Sequence, residues 1–172
     1  MKSYIKNICL LLVAVCSFTI TQAQNTKADK KAANLAEIKS LVNAQRFDFI
    51  ANFAIPMGGG GRALTSSYDL VITKDTVTAY LPYFGRAYTS NYGSTDNGIK
   101  FSTTKFTYSS VYKKSGWEIL ITVKDSKMSD ALGVRQLRLS ISSDGYGSLQ
   151  VTSQNRDPIT FNGYIEAIKK NK

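Results

Sequence analysis

From Phe47 onward, apolar and polar positions alternate in short runs separated by turn residues. Phe47, Phe49, Ala51 and Phe53 fall on one side, with Asp48, Ile50 and Asn52 on the other. Tyr68, Leu70 and Ile72 repeat the pattern, Lys74-Asp75 turns the chain, and Val77, Ala79 and Leu81 return opposite Thr78 and Tyr80. A period of two bounded by turn residues predicts half-buried strands, and the tight turn predicts a hairpin. Strand signals resume at Ile99 to Phe101 and at Phe106, Tyr108 and Tyr112. Trp117, Ile119, Ile121 and Val123 then oppose Glu118, Thr122 and Lys124, while Leu120 on the polar side suggests cover on both faces. Leu137, Leu139 and Ile141 oppose Gln136, Arg138 and Ser140; Asp144-Gly145 marks another hairpin, from which Leu149 and Val151 return. Ile159, Phe161 and Ile165 make the last strand.

Ahead of this region, Leu35, Ile38, Leu41 and Val42 recur at helical spacing, with Lys31, Glu37, Lys39 and Ser40 off the stripe. They predict an amphipathic helix running to about Ala44, with Asp29 or Asn34 as its cap. A narrow apolar stripe suits a helix that covers an opening or an edge of a sheet. One helix followed by about eight short antiparallel strands predicts a mainly-β fold that closes as a barrel, with a two-sheet β-sandwich as the alternative. No internal repeat, linker or second domain interrupts it, so residues 24–172 read as one domain.

The first residues follow a different pattern. Lys2 and Lys6 precede an apolar run from Ile8 to Ile20, and Thr21-Gln22-Ala23 ends it on a small residue. This layout predicts a signal peptide over 1–23, cleaved near Ala23, and hence a periplasmic or secreted protein. Lipidation at Cys16 is disfavoured, because bulky Val15 stands where a lipobox wants a small residue. Both cysteines, Cys9 and Cys16, fall inside this leader. The mature chain is then left without a thiol, a disulfide or a thiolate metal site.

The formal net charge is +10. Its basic residues are scattered rather than clustered, which fits solubility and leaves attraction to an anionic envelope component as the functional alternative. Nucleic acid is not an expected partner for an exported chain, and a monomer is expected.

The sequence contains no histidine. Ser-His-Asp and Cys-His catalysis and the usual zinc sites are therefore excluded, leaving carboxylate, tyrosine or lysine chemistry. Most of the acids fall in turns; Asp48, Asp69 and Glu118 sit on strands, and Asp69 with Glu118 is the one pair available to a carboxylate-based hydrolase. The glycine run Gly58 to Gly61 lacks the Lys-Ser/Thr of a phosphate loop and reads as a flexible connection. No catalytic residue, metal site or cofactor is predicted.

The densest aromatic cluster lies at Tyr80 to Tyr88. Pro82 cannot donate to a ladder and Gly85 relaxes the backbone, so the strand ends there and presents its aromatics at a bend. Tyr80, Tyr83, Phe84, Arg86 and Tyr88 are the candidate ligand site, a barrel mouth for a small apolar or amphipathic ligand whose anionic group Arg86 would pair. Tyr92, the glycine loop and the turn-rich Thr89 to Gly98 border it. The competing reading gives Tyr83 and Phe84 to the packing of the barrel end, and Tyr80 and Tyr88 to cross-strand aromatic pairs. A side-chain-filled interior would sink this reading of the barrel mouth as a ligand site.

Five segments occur in order: Pro56-Met57-Gly58-Gly59, Leu81-Pro82-Tyr83-Phe84-Gly85-Arg86-Ala87-Tyr88, Gly98-Ile99-Lys100-Phe101, Gly116-Trp117-Glu118-Ile119 and Ser153-Gln154-Asn155-Arg156. Together they make the chain resemble the domain-of-unknown-function 4251 family of exported bacterial proteins. The resemblance implies a helix followed by a lipocalin-like barrel and supports export, but brings no activity, ligand or catalytic residue. Some relatives look like lipoproteins, a pattern from which Cys16 departs.

Sequence reading thus arrives at an exported, non-enzymatic domain that binds a small ligand at the barrel mouth. An envelope structural or interaction protein using its basic surface is the alternative, followed by a carboxylate-based hydrolase.

Overall fold

The computed structural model describes residues 29–88, 98–114, 116–125 and 133–169. The leader, Tyr92 and most of the Thr89 to Gly98 segment lie outside these. A helix, α1, spans 29–44. Nine strands follow: β1 (Phe47–Pro56), β2 (Arg62–Ile72), β3 (Val77–Leu81), β4 (Ile99–Thr103), β5 (Phe106–Lys113), β6 (Gly116–Val123), β7 (Val134–Ser142), β8 (Tyr146–Ser153) and β9 (Ile159–Glu166). All pairings are antiparallel, in the order β4-β3-β2-β1-β9-β8-β7-β6-β5.

The two outermost strands of that order, β4 and β5, are separated in sequence only by Thr104 and Lys105. The sheet must therefore curl until its edges meet. β4 pairs with β3 and β5 with β6, so the two act as one bent strand serving both edges of a nearly closed barrel. The sequence pattern predicts about eight strands, and the structure has nine.

Inward side chains form one apolar core that includes Phe47, Phe49, Leu70, Ile72, Leu81, Ile119, Leu139, Leu149 and Phe161, all fully or almost fully buried. This packed core occupies the barrel interior. The phase of β1 departs from strict alternation. A bulge between Ala51 and Phe53 puts both Asn52 and Phe53 on the outer side and returns Ala54 to the core. Phe53, read from the sequence as an inward residue, is thus 36% exposed.

Helix α1 closes one end of the barrel with Ile38 and Val42, which are buried in the same core. Asn34 lies inside the helix rather than capping it, and its amide donates to the Asp144 carbonyl at 3.4 Å. The Tyr108 hydroxyl donates to the Val42 carbonyl at 3.4 Å, and burial pushes its pKa up to about 12. Across the Lys74-Asp75 turn, Thr73 N–H donates to the Thr76 carbonyl at 2.9 Å. Among the described residues, no helix is long and apolar enough to cross a membrane.

Candidate functional site

At the other end, the segment after β3 folds into a strap. Leu81 and Pro82 are buried, and the chain then turns outward. The Tyr83 hydroxyl donates to the Arg86 carbonyl at 2.8 Å, with the Asp157 carbonyl at 3.2 Å as a second acceptor. The turn between Tyr83 and Arg86 therefore wraps around the phenol. A Cβ at Gly85 would meet that hydroxyl at 2.7 Å, so any larger residue there must push the phenol aside.

Beyond Arg86 the strap joins the β8–β9 turn. Ala87 bridges Arg156, Tyr88 N–H donates to the Asn155 carbonyl at 2.9 Å, and Asp157 N–H donates to the Arg86 carbonyl at 3.1 Å. The Tyr88 hydroxyl donates to Asp157 Oδ1 at 2.6 Å, a bond to a charged acceptor that stabilises the phenol and raises its pKa. Burial raises the Tyr83 pKa, and the Asp157 charge adds to it. The Arg156 guanidinium lies 5.0 Å over the Tyr83 ring.

The glycine loop faces this strap. Pro56 ends β1, Gly59 N–H donates back to the Pro56 carbonyl at 3.1 Å, and Gly59 and Gly60 take φ of 86° and 75°. Such left-handed values are ones other residues rarely adopt. The loop delivers Arg62 to a position 5.0 Å over the Phe84 ring. Between loop and strap lies an open cleft of about 610 Å³, lined by Pro56, Gly58, Gly59, Arg62, Phe84, Gly85, Arg86 and Asp157.

Of the five residues singled out from the sequence, Phe84 and Arg86 line this cleft. Tyr83 and Tyr88 hold the strap in place. Tyr80 sits elsewhere, on the outer wall, stacked on Tyr68 at 5.6 Å with the Lys100 ammonium 4.6 Å above its ring. Sequence reading missed Arg62 and Asp157. Their signals, a cation closing the glycine run and an Asp-Pro turn, gain meaning only once three separate loops meet.

Carboxylate chemistry finds no matching pair. Asp69 and Glu118 both leave the outer wall, but β3 and the bent β4–β5 strand separate them on one side and four strands on the other. Glu118 is ion-paired with Lys113, which lowers its pKa. The strained acid is Asp48, opposite Glu166 across the β1–β9 pair, with a buried and unbonded Oδ1. Desolvation, with the charges of Asp69 and Glu166, pushes it up to about 6. Among the described residues, no group of three or more acids, cysteines or histidines could hold a metal.

The fold and this end cleft define a helix-capped antiparallel β-barrel with a surface cleft between a glycine loop and an aromatic strap. The chain belongs to the family described as domain of unknown function DUF4251, whose model matches residues 29–165. A crystal structure of a DUF4251 family protein from Bacteroides eggerthii DSM 20697 is similar in fold. It has a TM-score of 0.58 and 16% identity over 80% of this chain and 91% of that one. No curated protein matches.

Proposed function

We propose that this protein is an exported, non-enzymatic binding module whose ligand is a small amphipathic molecule carrying an anionic group. The observation that supports this reading is the convergence of Arg62, Arg86 and Phe84 on one cleft beside the glycine loop. Two guanidiniums supply planar, permanently charged donors for a carboxylate or sulfate. Phe84 and Pro56 supply apolar surface next to them. Neither arginine is ion-paired with a carboxylate among the described residues, and Asp157, which lines the same cleft, already accepts the Tyr88 hydroxyl. The filled interior counts against a ligand held within the barrel mouth, so the reading rests on the end cleft outside the core.

The test is calorimetric titration of the mature protein with dodecanoate and with dodecanol, both below their micelle concentrations. Dodecanoate is expected to bind more tightly, with Arg62→Ala and Arg86→Ala each weakening it. Equal binding of acid and alcohol, or indifference to both arginines, would refute the reading.

A further inference from the structure

The outer wall holds a second concavity, which shares no lining residue with the end cleft. It occupies about 590 Å³ over β1, β9, β8, β7 and β6. Its axis is a row of outward residues on adjacent strands: Asn162 opposite Ser148, Ser148 opposite Ser140, and Ser140 opposite Glu118. Three strand spacings make this row about 14 Å long. Asn52, turned outward by the β1 bulge, extends it at one end. Tyr146 stands beside it, 69% exposed. Gly116 and Ser142, cross-strand partners in the neighbouring row, keep the floor low.

The chemistry of this surface is narrow. β9, β8, β7 and β6 are each paired on both sides, so no backbone edge is open to an added peptide strand. Glu118 and Lys113 neutralise one another, so the cleft has no net charge with which to hold a phosphate backbone or an acidic lipid. What remains is amide and hydroxyl groups that both donate and accept, beside one exposed aromatic ring. Among the described residues, no side-chain hydrogen bond engages Asn52, Asn162, Ser140 or Ser148. A ligand matched to that set is rich in neutral hydroxyls and has an apolar face to lay on Tyr146.

We infer that the outer face of β9–β6 is a binding site for a short neutral oligosaccharide, held by the Asn162-Ser148-Ser140 row and stacked on Tyr146. The test is an amide-shift NMR titration of the mature protein with cellotriose, maltotriose and triacetylchitotriose in turn. At least one is expected to give saturable shifts at Ser140, Ser148 and Asn162 without disturbing Gly58 to Arg62. Tyr146→Ala, at an exposed position, is expected to weaken binding about tenfold while leaving the near-ultraviolet dichroism intact. Asn162→Ala should weaken it as well, and Arg62→Ala should leave it unchanged. The inference is overturned if none of the three sugars binds at millimolar concentration. It also fails if Tyr146→Ala and Asn162→Ala are silent, or if Arg62→Ala abolishes binding and so assigns the sugar to the end cleft. Because Arg62 and Tyr146 report separately, failure here leaves the dodecanoate experiment untouched.

Discussion

Gly85 and Tyr83 are fitted to one another: a methyl group at position 85 would lie 2.7 Å from the Tyr83 hydroxyl and 3.0 Å from the ring carbon that bears it. The strap turn is thus built around a phenol that bonds to the carbonyl of Arg86. Gly85→Ala is expected to cost about 1–3 kcal/mol, the usual range for overpacking. Tyr83→Phe alone should cost about 1 kcal/mol for the lost hydrogen bond. The double variant should lose less than the two costs together, since removing the hydroxyl relieves the nearest contact. Denaturant unfolding of the four proteins tests this, and strict additivity would show that the two residues do not share the turn.

Asp48 makes stability fall as pH rises. Its carboxyl is raised in the fold from 3.8 to about 6 by desolvation and by the neighbouring Asp69 and Glu166, against a smaller opposing effect of Lys169. The folded state therefore binds the proton more tightly than the unfolded chain between those two values. The contribution is fully present below the lower one and lost through the upper one. Solvent screening of this half-exposed group leaves an effect of about 1–2 kcal/mol. Melting temperatures measured from pH 4 to 7 should show a downward component that Asp48→Asn removes. An unchanged profile in that variant would place the titration elsewhere.

Two glycines predict opposite results for the same substitution. A Cβ on Gly163 would run into the carbonyl oxygen of Ile50 on the paired strand β1, and backbone has nowhere to go. Gly163→Ala should cost more than about 4 kcal/mol or prevent folding. Gly58, with nothing within 4 Å of its missing Cβ, should accept alanine within about 0.5 kcal/mol. Soluble yield and thermal unfolding decide both, and a folded, stable Gly163→Ala would contradict the close β1–β9 approach.

Tyr108 ties the helix to the barrel. Tyr108→Phe should cost up to about 1 kcal/mol and speed amide exchange along α1 near Ile38 and Val42. Because burial holds the phenol neutral up to about 12, the wild type should lose stability as pH rises from 10 towards 12, and the variant should lose less. Identical alkaline unfolding of the two would remove Tyr108 from that role.

Much of the barrel can be read from alternation, because a strand with one buried face must repeat every two residues. The same rule misplaces Phe53, where a bulge adds a residue that alternation cannot register. At Thr104-Lys105 the alternation does reverse, with Thr103 and then Phe106 and Tyr108 turned inward, so the break between β4 and β5 is legible. The end cleft is half legible. Pro82 and Gly85 announce a bend full of aromatics, and Phe84 and Arg86 do line the cleft. Tyr83 and Tyr88 carry the same aromatic signal but spend their hydroxyls on the strap, a distinction made by Asp157, which lies 74 and 69 residues after them. The Asn162-Ser148-Ser140 row is invisible in the sequence, because each member is an ordinary outward polar residue until the strands align.

The first strand of this barrel hydrogen-bonds to the last. Every other neighbour in the order follows its partner directly in the chain, so partial sheets can assemble as strands become available. The β1–β9 seam cannot, and joining it brings together the most distant strands in the sequence. A ribosome that has not yet made Ile159 to Glu166 holds a chain with an open edge on β1 and no way to seal it. The seam therefore cannot close before the last strand has been made, whatever path the earlier strands take.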